Sequence, residues 1–360
     1  MSAYVEGKVS VLQGPGVFLN PKMASLRDLS VLFLKTYPLS KDARLLDATS
    51  ATGIRGIRYS LEAGVRDVTL LDINKAAHRS TVSNLKRNRI KAHAFNKGID
   101  EYAATCRDRY DVIDLDPFGT PVPYLNDVMR LATGDSLLMV TATDTAVLCG
   151  AQTSACIKLY GAKPLHNELC KEAGLRILAG FISRLAAQFN RGITIALSIS
   201  DMHYMRLFVR MQHGAEMALS SIKENGFVSF CPACRDFSTL RGVAPVMSSK
   251  CNRCGGQVEI GGPMWLGNLY DDKIRVAMRE NIAEVHLHSA VQLAQICAEP
   301  DIPFFYSLPM LSRRMKRGSV SPNRVMETLR DSGFTASKTQ FDKDGLKTNA
   351  SLEDVLYAMS

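Results

Sequence analysis

The segment Asp114-Leu-Asp116-Pro117-Phe118-Gly119 follows an apolar run and combines three groups that could hold an exocyclic amine. The Asp116 carboxylate would accept one N–H bond of the amine. A backbone carbonyl would accept another, because Pro117 removes a competing backbone donor. The Phe118 ring would stack on a base that has first left its own stack. The alternative interpretation is a turn that ends a strand, with Phe118 in the core.

A second aromatic candidate lies in Val17-Phe18-Leu19-Asn20-Pro21, with Arg27 shortly after it. By itself this segment is typical of a surface turn before a helix. Phe18 in such a place is more often a core residue than a stacking platform, so its role depends on what surrounds it.

The loop Asp47-Ala-Thr-Ser-Ala-Thr-Gly53-Ile-Arg55-Gly56 lies between an apolar strand and a helix, and Asp72 ends the next strand. Gly53 lets the backbone pass close to a ligand, and an acid placed like Asp72 typically binds ribose hydroxyls. The three-glycine dinucleotide signature is absent, and Asp47 suits a cationic methionyl group better than a pyrophosphate. The loop therefore favours S-adenosylmethionine over a nicotinamide cofactor, and a tight turn without a ligand is the alternative.

Strands alternate with helices over the first half of the chain, which predicts a parallel, doubly wound α/β sheet. We expect a Rossmann-like methyltransferase domain over residues 1–222, including an N-terminal approach segment. A smaller α+β domain over residues 223–360 would carry a zinc-ribbon-like cysteine quartet and bind nucleic acid.

That quartet is Cys231-Pro-Ala-Cys234 and Cys251-Asn-Arg-Cys254, followed by two glycines that allow a tight turn. The spacing is typical of a closed, structural zinc site with four thiolate ligands. A reduced knuckle without a metal is the alternative.

The composition excludes a membrane-spanning protein and favours a polyanionic partner. The 360 residues are 46% hydrophobic and carry a net charge of +9, and no apolar run approaches the ~18 residues of a membrane span. With no secretory leader at the N-terminus, we expect a cytoplasmic, reduced protein. Residues 73–99 hold seven Lys/Arg and no acid, and residues 311–347 hold nine Lys/Arg against four Asp/Glu. Such stretches are typical either of a nucleic-acid footprint or of solvated surface faces. The residues predicted to bind RNA are Arg313, Arg314, Lys316, Arg317 and Lys347.

Three of these segments together resemble the tRNA guanine-26 N2-dimethyltransferase family, in the form of its archaeal members. They are Phe18-Leu-Asn-Pro-Lys-Met-Ala-Ser-Leu-Arg27, Asp47-Ala-Thr-Ser-Ala-Thr-Gly-Ile-Arg-Gly56 and Ile113-Asp-Leu-Asp-Pro-Phe-Gly-Thr-Pro121. The resemblance continues through both cysteine pairs, Gly262-Pro-Met-Trp-Leu-Gly267 and the segment from Ala336 to Thr348. It therefore covers nearly the whole chain.

The resemblance implies transfer of one or two methyl groups from S-adenosylmethionine to the exocyclic N2 of guanine 26 in tRNA. Asp116 would accept the N2 hydrogen bond or proton, and Phe18 and Phe118 would sandwich the flipped guanine. Gln340 departs from the family pattern, which often has His there. The residues implied around the cofactor are Arg27, Asp47, Gly53, Arg55, Asp72, Asp100 and Asp114.

Two other interpretations compete with this one. The first is another amino-directed methyltransferase, acting on ribosomal RNA guanine or on DNA adenine. The second is a non-catalytic zinc-ribbon protein that binds RNA and retains an inactive cofactor fold. The expected partner is tRNA, and we expect a monomer without an obligate protein partner.

Overall fold

The computed structural model describes residues 3–360 of the chain. These residues form two compact units, each built from several chain segments. The first unit contains the chain up to Ala142, Leu207–His213 and Asp271–Ala294; the second contains Thr143–Arg206, Gly214–Tyr270 and Gln295–Ser360. The predicted boundary between residues 222 and 223 is therefore not observed. The chain passes between the units several times, so no single cut separates them.

Within residues 3–360, fifteen strands and fourteen α-helices are numbered in chain order. The strands are β1 (Tyr4–Glu6), β2 (Val9–Val11), β3 (Arg44–Asp47), β4 (Asp67–Leu71), β5 (His93–Phe95), β6 (Tyr110–Leu115), β7 (Ala132–Ala142), β8 (Arg191–Ser200), β9 (Met205–His213), β10 (Asn225–Phe230), β11 (Phe237–Arg241), β12 (Glu259–Trp265), β13 (Tyr306–Ser307), β14 (Ala336–Lys338) and β15 (Gly345–Thr348). The helices are α1 (Ala24–Thr36), α2 (Ile54–Leu61), α3 (Lys75–Arg87), α4 (Ile99–Thr105), α5 (Val122–Leu131), α6 (Thr145–Leu148), α7 (Thr153–Tyr160), α8 (Cys170–Gln188), α9 (Ala215–Lys223), α10 (Asp272–Glu280), α11 (Leu287–Ala298), α12 (Leu308–Arg314), α13 (Pro322–Asp331) and α14 (Leu352–Ala358).

The first unit contains the predicted parallel sheet. Its strands run in the order β5-β4-β3-β6-β7, with β9 beside β7, and the neighbours from β5 to β7 are parallel. The chain moves outward from β3 to β5 and then returns to β6 on the other side of β3. Ligands of such sheets bind at the carboxyl ends of the strands beside this reversal.

The central strands are apolar because helices cover both faces of the sheet. Leu45 and Leu46 of β3, and Val112 and Ile113 of β6, are completely buried. The helix after β4 begins at a defined point, because the Asn74 side chain accepts a hydrogen bond from the Ala76 amide at 2.8 Å. The buried strands and this capped helix start hold the side chains at the strand ends in fixed positions.

The second unit contains two small antiparallel sheets together with helices. One sheet has the order β11-β10-β12 and the other the order β13-β15-β14, and their pairings are antiparallel. Mixed helices and antiparallel strands are the α+β character predicted for the C-terminal part. Over residues 3–360 no helix is long and apolar enough to cross a membrane.

Candidate active site

Acidic residues from successive strands meet at the carboxyl edge of the parallel sheet. Asp47, the last residue of β3, is in register with Leu70 of β4 and with Asp114 of β6. Asp72 and Asp116 each come just after a strand end. Residues far apart in sequence are thus brought to one edge.

Asp47 is a buried carboxylate with one oxygen left over. Its side chain is 1% exposed, and Oδ2 accepts a hydrogen bond from the Gly56 amide at 3.1 Å. Oδ1 has no hydrogen-bond partner among residues 3–360. Burial, and next the charge of Asp114, raise the pKa of Asp47 to about 7. Such a group would gain from a cationic ligand, which favours its ionised form.

The loop after Asp47 needs glycine at its turn into α2. Gly53 has a φ of 78°, a left-handed conformation that side chains disfavour. A Cβ atom there would also lie 3.1 Å from Cγ2 of Thr81. The loop therefore makes the predicted tight turn, and its close approach to α3 requires glycine at position 53.

Asp72 faces the same loop. Its Oδ2 accepts the Ala51 amide at 2.8 Å and its Oδ1 accepts the Asn74 amide at 2.8 Å. These two bonds fix the carboxylate at the edge where a ribose would bind.

Ile73 is a candidate site residue that sequence reasoning missed. It is 78% exposed, directly after Asp72. A Cβ built on Gly98 would lie 3.5 Å from Cδ1 of Ile73 and 2.5 Å from Oδ1 of Asp100. Ile73 and Asp100 therefore converge on Gly98, an apolar surface beside a hydrogen-bond acceptor. The signal in the sequence was a large aliphatic residue in a loop rather than in a strand or helix.

Asn84 is a second residue that was missed, and its role is positional. It is completely buried in α3. Its Oδ1 accepts the Leu12 amide at 2.8 Å, and its Nδ2 donates to the Thr52 carbonyl at 2.9 Å. One side chain thus joins the N-terminal segment to the cofactor loop.

Arg55 lies among the carboxylates rather than at the open edge. Its guanidinium forms an ion pair with Asp116, and its Nη1 lies 4.0 Å from Oδ2 of Asp114. Asp114 is completely buried and accepts a hydrogen bond from the Tyr59 hydroxyl at 2.5 Å. The Asp116 side chain is 20% exposed, so it is the member of this group that a substrate can reach.

Phe18 and Phe118 come together although 100 residues separate them. Their ring centroids are 4.4 Å apart with an angle of 78° between the planes. Phe18 is 49% exposed and Phe118 is 72% exposed. Neither ring is a core residue, so the core-packing alternatives are wrong for both.

Arg27 is buried and bonded within the N-terminal part of the first unit. Its Nε and Nη2 bind the two oxygens of Glu6 at 2.7 and 2.5 Å, and Nη2 donates to the Asn20 carbonyl at 3.2 Å. Burial alone would raise the pKa of Glu6, but hydrogen bonding and the charges of Arg27 and Arg58 lower it to about 2. In this structure Arg27 holds the segment that carries Phe18.

The four predicted cysteine ligands form one cluster in the second unit. Their Sγ atoms all lie within 4.8 Å of one another, and two pairs, Cys231–Cys254 and Cys234–Cys251, are 3.5 Å apart. Tetrahedral zinc with bonds of about 2.3 Å requires sulfur separations of roughly 3.8 Å. The cluster fits such an ion.

Both cysteine pairs turn in the same way. The Arg235 amide donates to the Cys231 carbonyl at 2.8 Å, and the Gly255 amide donates to the Cys251 carbonyl at 2.9 Å. Arg235 and Gly255 have φ values of 63° and 71°. Two matching knuckles hold all four thiols toward one point.

The predicted RNA-binding residues divide into two groups. Arg313, Arg314, Lys316 and Arg317 are exposed. Lys347 is completely buried, and its Nζ lies 3.2 Å from Glu172 and 3.1 Å from Glu299. The prediction that Lys347 binds RNA is wrong, because its charge is neutralised by carboxylates contributed from distant parts of the chain.

Gln340 is also structural. Its Nε2 donates to the Tyr270 hydroxyl at 2.6 Å and to the Ser198 carbonyl at 3.2 Å, while its Oε1 accepts the Ser200 amide at 2.8 Å. The amide uses both its donor and its acceptor side, which accounts for glutamine at this position.

The parallel sheet, its reversal at β3 and the acids at its carboxyl edge define a Rossmann-like domain of the methyltransferase kind. The family model described as N2,N2-dimethylguanosine tRNA methyltransferase matches residues 2–360. The chain belongs to this family, as the sequence motifs predicted.

Curated relatives and a solved structure agree with this assignment. The chain is 34% identical to the tRNA (guanine(26)-N(2))-dimethyltransferase of Methanothermobacter thermautotrophicus, over 94% of this chain and 91% of the relative. It is 36% identical to the protein of that name from Thermococcus kodakarensis, over 93% and 90% of the two chains. The structure of Trm1 from Pyrococcus horikoshii with S-adenosyl-L-methionine is similar, with a TM-score of 0.91, 33% identity and complete coverage of both chains.

Proposed function

We propose that this chain transfers methyl groups from S-adenosylmethionine to the exocyclic N2 of guanine 26 in tRNA. The observation that carries the proposal is the placement of Asp116, Phe18 and Phe118 beside a cofactor edge. The curated relatives named above act on this position of tRNA according to their names.

The carboxyl edge fits S-adenosylmethionine, which supplies a methyl group bound to a cationic sulfur. Asp47 offers a buried carboxylate with an unpartnered oxygen, and this suits the cationic methionyl end. Asp72 would bind the ribose hydroxyls. Ile73 and Asp100 would contact the adenine, one through its apolar surface and one through a hydrogen bond. Gly53, Arg55, Asp114 and Arg27 complete the site, and the last three act by holding its other members.

Asp116 is the residue that we propose acts on the substrate amine. The N2 lone pair of guanine is delocalised into the ring, so transfer is mainly a problem of positioning. The Asp116 carboxylate accepts an N2–H hydrogen bond and then the proton that N2 loses as it gains a methyl group, as a general base. Its ion pair with Arg55 orients the carboxylate.

Phe18 and Phe118 would hold the guanine by stacking. Their present centroid distance of 4.4 Å leaves no room for a base between them, because a sandwiched base needs about 7 Å. A sandwich therefore requires the two exposed rings to separate, which their position at the protein surface permits.

The test is methylation of an unmodified tRNA transcript with labelled S-adenosylmethionine, followed by mass spectrometry of mapped nucleosides. We expect N2-methylguanosine and N2,N2-dimethylguanosine at position 26. Asp116→Ala should abolish the product, and Asp42→Asn, at an exposed acid on the surface, should leave it unchanged. Methylation at another base or position would contradict the proposed substrate.

We further propose that the cysteine quartet binds one structural zinc ion, in a zinc-ribbon-like arrangement. All four ligands are thiolates, so no position is open for catalysis. Elemental analysis of the purified protein should give one zinc per chain. Cys251→Ser should reduce this content, and Cys106→Ser, outside the cluster, should not. Full occupancy in the Cys251→Ser protein would contradict the assignment.

A further inference from the structure

The last part of the second unit has the element order of a winged helix. After β13 come two helices, α12 and α13, and then the β14–β15 hairpin. The three strands pair in the order β13-β15-β14, so the hairpin strand β15 lies between the other two. A short strand, a helix–turn–helix and a hairpin wing in this order are typical of nucleic-acid-binding modules.

This module has its own apolar core. The helix α13 buries one face, with Val325, Met326 and Leu329 at most 7% exposed. These residues belong to a cluster to which both helices, the strands and α14 contribute. Its members are Tyr306, Leu308, Leu311, Val325, Met326, Leu329, Ala336, Leu346, Ala350, Leu352, Val355, Ala358 and Met359.

The turn between the two helices is strongly basic. From Leu308 to Met326 the chain carries five Lys/Arg residues and no Asp/Glu. All five are exposed, and we name them the helix–turn–helix edge: Arg313, Arg314, Lys316, Arg317 and Arg324. The next part of α13 differs, because its exposed charged residues are Glu327, Arg330 and Asp331, two acids and one base.

We infer that the helix–turn–helix edge binds the phosphate backbone of structured RNA without reading its sequence. Clustered cations on flexible, exposed side chains are suited to phosphates. The exposed acids of α13 lie beyond Arg324 in the chain, so we expect the contact at the end of α12, the turn and the first part of α13. The inference rests on the proposed function in one respect, since it takes the RNA to be tRNA.

The experiment measures the dissociation constant for a tRNA transcript at several salt concentrations. The edge variant carries Arg313→Gln, Arg314→Gln, Lys316→Gln and Arg317→Gln. The control variant removes the same charge from exposed lysines in four separate parts of the chain, through Lys41→Gln, Lys158→Gln, Lys223→Gln and Lys273→Gln. Each lost phosphate contact reduces the salt slope by about 1. We expect a decrease of about 3 to 4 for the edge variant and of less than about 1 for the control.

A third variant tests the claim that the backbone is bound. Replacing Arg313, Arg314 and Arg317 by Lys keeps the charge, so the wild-type slope should be retained. A salt slope that decreases as far as in the edge variant would overturn the inference, because the lysines carry the same charge and should still neutralise the phosphates. Binding of S-adenosylmethionine by calorimetry, unchanged in all variants, shows that each protein is folded.

Two other outcomes would also overturn the inference. One is an edge variant that matches the control in affinity and slope. The other is duplex DNA that binds more tightly than tRNA and loses the same affinity in the edge variant. A failure of the proposed function is a different result, because the wild-type protein would bind tRNA through the edge and leave guanine 26 unmethylated.

Discussion

Two fully buried carboxylates, one in each unit, have pKa values shifted in opposite directions. Asp47 lies at the carboxyl edge of the parallel sheet, in register with Asp114 of the neighbouring strand. Burial and that second carboxylate raise the pKa of Asp47 to about 7. Glu172 lies in the second unit. Burial alone would raise its pKa too, but the charges of Lys347 and Arg176 lower it below its ordinary value.

The surroundings of Glu172 explain the difference. Its Oε1 accepts hydrogen bonds from the Arg176 Nε at 2.9 Å and the Phe304 amide at 2.8 Å. Lys347 contacts both Glu172 and Glu299. In this cluster two acids are matched by two cations, so the chain itself supplies the compensation.

The comparison teaches how to distinguish a structural buried charge from a functional one. A buried acid whose charge is matched by the chain stabilises the fold. A buried acid pressed against a second acid is costly unless a cation arrives from outside. Asp47 is of the second kind, which supports a cationic cofactor at this edge.

The largest expected effect comes from Asp116, which is the most exposed residue of the ionic group Arg55, Asp114 and Asp116. Asp116→Asn keeps the shape but removes the base, so kcat should decrease by about 10²–10⁴-fold. Binding of S-adenosylmethionine should change little. Single-turnover methylation and calorimetry measure the two quantities. Equal losses in both would place Asp116 among the cofactor residues instead.

Replacing Lys347, which pairs with Glu172 and Glu299, should lower the free energy of unfolding. Lys347→Met leaves two buried acids with one cation fewer, so the free energy of unfolding should decrease by about 3–5 kcal/mol. Urea denaturation measures it. Lys343→Met, at an exposed position, should change it by less than about 0.5 kcal/mol. A Lys347→Met protein of normal stability and weak tRNA affinity would restore the interpretation of Lys347 as an RNA ligand.

Replacing Asp47 should instead raise the free energy of unfolding of the cofactor-free protein. The folded pKa of Asp47 lies above its unfolded value, so its contribution to stability is lost as the pH rises through about 7. At pH 8, Asp47→Asn should therefore stabilise the cofactor-free protein by about 2–4 kcal/mol, while weakening cofactor binding. Thermal unfolding with and without S-adenosylmethionine tests both effects. A destabilised variant would show that Asp47 is structural.

The smallest effect is on the pH dependence of cofactor affinity. Only ionised Asp47 attracts the cationic ligand, so the wild-type affinity for S-adenosylmethionine should be about tenfold weaker at pH 6 than at pH 8. Calorimetry across this range measures it. In Asp47→Asn the dependence should disappear, and its persistence there would assign the titration to another group.

Local patterns were sufficient for several parts of this protein. The Asp47–Gly56 loop, Asp72 and the Asp116-Pro117-Phe118 turn were found because each directly follows an apolar strand. Parallel strands bring their carboxyl ends to one edge, so strand order along the chain already implies proximity. The cysteine pairs were found for a similar reason, since ligand spacing in a knuckle is local.

Interactions between distant segments were not accessible in this way. Arg55 was expected at the cofactor, yet it pairs with Asp116, 61 positions away. Ile73 and Asn84 gave weak signals, because their roles depend on Gly98 and on the N-terminal segment. The boundary between residues 222 and 223 stays a prediction, because two units that each combine several chain segments leave no composition change at a single point.

The sequence by itself determined the family, the order of the strands along the chain, the acids at their ends and the two cysteine pairs, because these are encoded in short contiguous motifs. The tertiary structure alone decided what each buried charge does. Lys347 belongs to a basic stretch of sequence and still lies in a matched ionic cluster with Glu172 and Glu299. The physical reason is that the effect of a charge depends on its burial and on its partners within a few ångströms, and those partners come from distant parts of the chain.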